Sequence, residues 1–310
     1  MNITYFEPFG RAWDRMKKIL FQPFDINKWF VLGFSAFLAG LLDGGGGNGS
    51  GSWRNGSDVD WGDVAYFPSN AWNWLMDHSL WFGLIMFGVV FVFALVILLN
   101  WLSSRGKFMF LDNVVYDRAK ITQPWNEFKD LGNSLFLWRL IYGFIVFFIF
   151  TILLTLFFIS FQNMYHSGFP KPLTGFTVAG MVLILLTLFV ITGYISAFLD
   201  GFVVPIMYKH KLSATKAWGR FLPLFARYFW YFILYGIIIF LLIVVVVISV
   251  ILFGFLTCCI GFLLLIIPYI GSVLMLPVSV TFRAFSVEFL EQFGDDYKIF
   301  PGQDQPVEAA

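Results

Sequence analysis

Three carboxylates, Asp112, Asp200 and Glu288, recur at intervals of 88 residues, two of them in the matching strings Phe110-Leu-Asp112 and Phe198-Leu-Asp200. Brought around one axis, they would form an acidic ring of the kind that concentrates cations at a channel mouth. Each acid could instead be solvated or paired with an arginine where a long helix ends. Other reactive residue types are sparse. The histidines His78, His166 and His210 lie in separate connecting segments, so no His-based triad or His-rich metal cluster is expected. Asp77-His78 is an acid–base pair, but no motif places a nucleophile beside it. Cys258 and Cys259 are adjacent in an apolar run and read as small core residues. Asp58, Asp60 and Asp63 offer hard oxygens that would hold calcium only weakly, and they read as part of a solvated loop. Asn48-Gly-Ser50 and Asn55-Gly-Ser57 match the glycosylation acceptor pattern, making Asn48 and Asn55 candidate modification sites. The neighbouring glycine run lacks the Lys-Ser/Thr ending of a phosphate loop. No catalytic residue, cofactor site or metal site is expected, and an enzyme is not.

The elements that carry these residues follow from composition. The chain is 59% hydrophobic and only 13% charged, too few ionisable side chains to cover a soluble surface. Its 41 Phe and 12 Trp suit a solvent that is largely lipid. A net charge of +1 gives no case for a nucleic-acid partner. Five segments are long and apolar enough to span a bilayer: Leu80–Leu102, Phe136–Phe161, Phe176–Leu199, Tyr228–Phe253 and Leu256–Phe282. Trp29–Leu42 is short and is retained as a sixth, because only then do the basic residues alternate. With both termini cytoplasmic, 18 of the 20 Lys and Arg fall on the inner side, as cytoplasmic loops require. The N-terminus is not expected to be a cleaved signal. Residues 43–79 become an external loop, Gly-rich and then acidic. The central parts of the spans hold no Asp, Glu, Lys or His, which argues against a proton-coupled transporter. Pro268 and Pro277 are expected to kink the last span. Arg139 and Arg227, at the inner starts of two spans, read as snorkelling anchors.

The chain also resembles itself. Trp125-Asn-Glu-Phe128 and Trp218-Gly-Arg-Phe221 are 93 residues apart, and the same shift superposes Tyr142-Gly143 on Tyr235-Gly236. Trp13-Asp-Arg-Met16 reads as another copy. Each unit (about 5–112, 120–200 and 212–288) reads as an amphipathic interfacial helix, a transmembrane hairpin and an acidic exit. Trp13, Trp125 and Trp218 are the candidate anchors of those helices. Two spans per unit make the repeats parallel, about an axis along the membrane normal.

Phe21-Gln-Pro-Phe-Asp25 followed by Lys28-Trp29, the glycine run, Phe108-Met-Phe-Leu-Asp112 and Leu135-Phe-Leu-Trp-Arg139 resemble a group of uncharacterised archaeal multi-pass membrane proteins. More distantly, the chain is similar to the membrane domain found beside bacterial glycerophosphodiester phosphodiesterases. That enzyme's metal-binding barrel is absent from the sequence, so the resemblance implies no catalytic residue. The expected fold is an all-α integral membrane protein of six transmembrane helices in three parallel repeats. It forms one domain over 1–293, with a disordered cytoplasmic tail over 294–310. The expected role is a non-enzymatic scaffold or accessory subunit in the cell membrane, organising lipid or a membrane protein partner. The alternative is a passive channel or a transporter for a small or lipidic solute.

Overall fold

The structure, a computed structural model, describes residues 3–42, 61–166, 172–257 and 260–301. Helices follow one another without a strand among the described residues: α1 (Phe6–Phe21), α2 (Ile26–Gly40), α3 (Trp61–Asp77), α4 (Ser79–Val115), α5 (Thr122–Glu127), α6 (Lys129–His166) and α7 (Pro172–Phe198). A π-helical turn, Leu199–Val203, joins α7 to α8 (Val204–His210). Then come α9 (Ala214–Arg227), α10 (Phe229–Leu256), α11 (Ile260–Ile266), α12 (Pro268–Leu274) and α13 (Leu276–Glu291), closed by a 3₁₀ turn at Asp295–Tyr297.

Four stretches are long and apolar enough to cross a membrane: Ser79–Val115, Lys129–Asn163, Ala179–His210 and Phe229–Leu256. Their surfaces are apolar outward as well as inward, with Phe87 71%, Phe147 62%, Phe189 76% and Val245 58% exposed. Such a surface is stable in lipid, where a helix also satisfies its own backbone hydrogen bonds. The other two expected spans take a different form. α2 has 15 residues, about 22 Å of helix against roughly 30 Å of hydrocarbon. Between 260 and 282 the helix is broken among the described residues at Ile267 and at Met275. Ile267 leaves the helical region (ψ 110°) ahead of Pro268, as the residue before a proline tends to. Met275 ends α12 two residues before Pro277. The two prolines therefore interrupt the helix outright.

Three further segments depart from expectation. Trp61–Asp77, expected to belong to an external loop, is helical. Where a second interfacial helix was expected, α5 has only six residues. α13 ends at Glu291, and the first residues of the expected tail continue through Gly294 (φ 136°) into the 3₁₀ turn. Ile299 and Phe300 are buried, and their amides both donate to Glu291 Oε1 at 2.7 Å. Asn48, Asn55, Cys258 and Cys259 lie outside the described residues.

Contacts gather the chain into two units. One comprises Gly49–Leu98 and Leu140–Ile195 and is mostly span surface, with ring contacts such as Phe93 on Phe144 at 5.9 Å. The other comprises Met1–Asn48, Leu99–Arg139 and Ser196–Ala310 and holds the buried core. In it, the end of α4, the π turn with α8, and α13 are buried almost residue for residue. α1 lies along α13 through Met16, Ile19 and Leu20, and α2 packs on α12. α4 meets α2 closely: Ser103 Oγ donates to the Ala39 carbonyl at 2.8 Å, and Gly106 faces the Leu38–Ala39 backbone.

Candidate functional site

The three acids sit on the three buried segments of this core. Asp112 ends the apolar face of α4, and its side chain is 1% exposed. It accepts from Arg118 Nη2 at 2.6 Å and Nε at 3.0 Å, and from the Tyr208 hydroxyl at 2.8 Å. Arg118 reaches back because the chain turns at Asp117, which takes a left-handed conformation (φ 51°) that short acidic side chains tolerate. Tyr208 comes from α8, so this carboxylate ties two of the segments together.

Asp200 lies in the π turn, where the widened helix carries the side chain away from the regular register. Its Oδ2 accepts from Lys107 Nζ at 2.5 Å, and its backbone carbonyl accepts from Arg283 Nη1 at 2.6 Å. Lys107 belongs to α4 and is 1% exposed, while Arg283 belongs to α13. The π turn is thus held from both sides by cations five residues before the acids of the other two segments. Asp200 Oδ1 is buried and has no hydrogen-bond partner among the described residues.

Glu288 projects from α13, is 3% exposed, and accepts from Arg11 Nε at 2.7 Å and Arg15 Nε at 2.5 Å. The two arginines are one turn apart on α1, which places both on one face. Arg15 also lies under the Phe300 ring at 3.7 Å. Around these pairs the core is aromatic. Tyr235 stacks on Phe289 at 4.6 Å, Phe202 meets Phe232 edge-on at 5.0 Å, and Phe221 stacks on Phe202 at 5.6 Å. In so apolar a setting an unpaired ion would be costly, which is why each carboxylate has cationic partners.

The sequence indicated the acids but not their partners. The missed signal is that Lys107 and Arg283 stand at the same offset before Asp112 and Glu288, and that Arg11 and Arg15 have helical spacing. The three candidate anchors differ among themselves. Trp13 is 48% exposed beside Phe6 at 90%. Trp125 packs edge-on against Trp101 at 5.9 Å, and Trp218 stacks on Trp138 at 5.4 Å. Ser213 begins α9 without a side-chain cap; the Ala214 amide donates instead to Ser134 Oγ at 3.0 Å. His78, between α3 and α4, donates from Nδ1 to the Trp74 carbonyl at 2.8 Å and stacks on the Trp74 ring. Among the described residues no three His, Cys, Asp or Glu side chains converge to hold a metal.

Residues 4–299 match the profile of a family described as of unknown function, DUF7544, and the chain belongs to that family. No curated protein and no solved structure matches it. The family match carries nothing about archaea or about glycerophosphodiester phosphodiesterases.

Proposed function

With that membership as the premise, we propose that the chain is a non-enzymatic scaffold or accessory subunit of the cell membrane, organising a protein partner or the local lipid. The observation that supports this reading is the closure of the buried core. Asp112, Asp200 and Glu288 are each bonded to cations, and the space between the segments is filled by Phe and Tyr rings. Such a core favours a rigid platform over an open aqueous path. In the same proposal the chain crosses six times as three parallel repeats with both termini cytoplasmic. α2 pairs with the broken segment α11–α12 as the shorter crossings, locally thinning the bilayer. The amphipathic α1 and α9 then lie at the inner surface, where their apolar flanks and cations suit anionic lipid.

The test is gentle crosslinking in native membranes, capture of the tagged chain, and mass spectrometry. A stoichiometric protein partner supports the accessory role. Recovery of the chain alone argues against a protein partner. The second reading is a passive channel or a transporter for a small or lipidic solute. One observation favours it: the unpartnered Asp200 Oδ1 on a π turn, a helix defect frequent at functional sites. Liposomes separate the two, because a cation leak lost on changing all three acids to Asn or Gln requires a conduit. Absence of a cation leak in the unaltered chain removes the cation channel from that reading.

A further inference from the structure

Most buried-core cations described above have a carboxylate. Arg105 does not. It stands on α4 where the helix passes from an exposed apolar surface (Val96 46%, Leu98 55%) to the fully buried Ser103 and Ser104. Its guanidinium carbon is 4.5 Å from the Trp101 ring centre and 5.2 Å from that of Trp125. Nη2 donates to Asn133 Oδ1 at 3.2 Å, and Trp101 Nε1 donates to the same oxygen at 3.2 Å. Gly132 lies behind the stem, so close that an added methyl carbon would be 2.7 Å from Arg105 Cγ. The fork is therefore held in one place by two indoles, an amide and a glycine, while its Nε has no hydrogen-bond partner among the described residues. Asn133 is exposed, and the exposed Lys129 precedes it by four residues on α6, which sets both on one face.

We propose that Arg105, Asn133 and Lys129 form a binding site for the phosphodiester headgroup of an anionic membrane lipid. A cation fixed at the boundary between apolar and polar surface, without a protein anion, suits an external one. A planar guanidinium presents parallel donors to two phosphate oxygens, and Lys129 adds a point charge. Trp101 and Trp125 stand where indoles favour the headgroup level, with the acyl chains continuing along the exposed face of α4. The site rests on the membrane reading alone and holds for a scaffold or a conduit.

Native mass spectrometry of the full chain, released from mixed phosphatidylglycerol and phosphatidylcholine vesicles, tests it. The unaltered chain is expected to retain phosphatidylglycerol preferentially. Arg105→Gln should weaken that retention ~10-fold, the effect of losing one charge-assisted hydrogen bond. Arg105→Lys should lose most of it too, because the charge remains but the fork does not. Arg227→Gln, an exposed arginine away from the indole pair, should change little. Asn133→Ala reads the same site without touching α4, should Arg105→Gln fail to give a helical, monodisperse protein. Full retention by Arg105→Lys would reduce the effect to general surface charge and overturn the proposal. Displacement of the lipid by millimolar inorganic phosphate would assign the site to a soluble anion and overturn the lipid.

Discussion

The ion pairs of the core are asymmetric, and the asymmetry decides what substitution does. Glu288 is buried, whereas its partners Arg11 and Arg15 have side chains 43% and 34% exposed. Glu288→Ala lets both arginines rehydrate and should cost about 1 kcal/mol. Removing both arginines leaves a buried carboxylate uncompensated and should cost about 3 kcal/mol. Thermal unfolding in a mild detergent ranks the two; the reverse order would mean that Glu288 is wetter than its packing implies. Glu291 gives a prediction in pH. Burial, the larger effect, raises its carboxyl above the ordinary 4.5, while the amides of Phe300 and Ile299 pull the other way. A carboxyl with a raised folded value binds its proton more tightly folded than unfolded. Its contribution is therefore present below about 4.5 and is lost as pH rises through the higher folded value. Glu291→Gln keeps an oxygen for both amides and removes the titration. The unfolding midpoint should then flatten over that window, whereas an unchanged slope would assign it to another group.

Two glycines that the sequence does not distinguish from the rest differ in what they do for helix contact. Gly106 lets α4 approach α2, since an added Cβ would stand 2.7 Å from the Ala39 nitrogen and 2.6 Å from Leu38 Cβ. Gly106→Ala should destabilise by about 1–3 kcal/mol through forced separation of backbones. Gly10, in α1 with open space around it, should tolerate alanine or gain up to ~1 kcal/mol of helix propensity. Melting of the two variants side by side checks the contrast. The long spans α4, α6, α7 and α10 were legible because hydropathy over some twenty residues is a local property. So were α1 and α9, whose apolar residues repeat at helical spacing; at Pro268 and Pro277 a kink was expected and the helix is interrupted instead. The length of α5 was not legible, because its buried positions depend on where Phe128 and Pro124 dock. Nor was the return of Ile299 and Phe300, whose partner amide acceptor and cation lie on α13 and α1. At the site, spacing identified Asp112, Asp200 and Glu288; the counter-charges of Asp200 and Glu288 come from contacts 93 and 277 residues away in sequence, and only Arg118, six residues from Asp112, is local.

At the level of the whole chain, the proposed six-crossing arrangement makes a geometric prediction. With Cys258 and Cys259 first replaced by Ala, single cysteines at Lys120, Lys211 and Lys298 should all react with an impermeant maleimide only when the cytoplasmic face is open. A cysteine at Ser69 should react from the other side. Labelling of 211 and 298 from opposite faces would remove one of the two short crossings. The pairing of chain ends has a separate bearing on how the protein comes into being. Leu20 and Ile19 of the first helix share their cluster with Leu276 and Val280, and Arg11 and Arg15 await Glu288. During synthesis, α1 has no destination until α13 has left the ribosome. A chain stopped short of α13 would display an orphaned amphipathic helix, a mark by which the cell's quality control can tell an unfinished copy from a complete one.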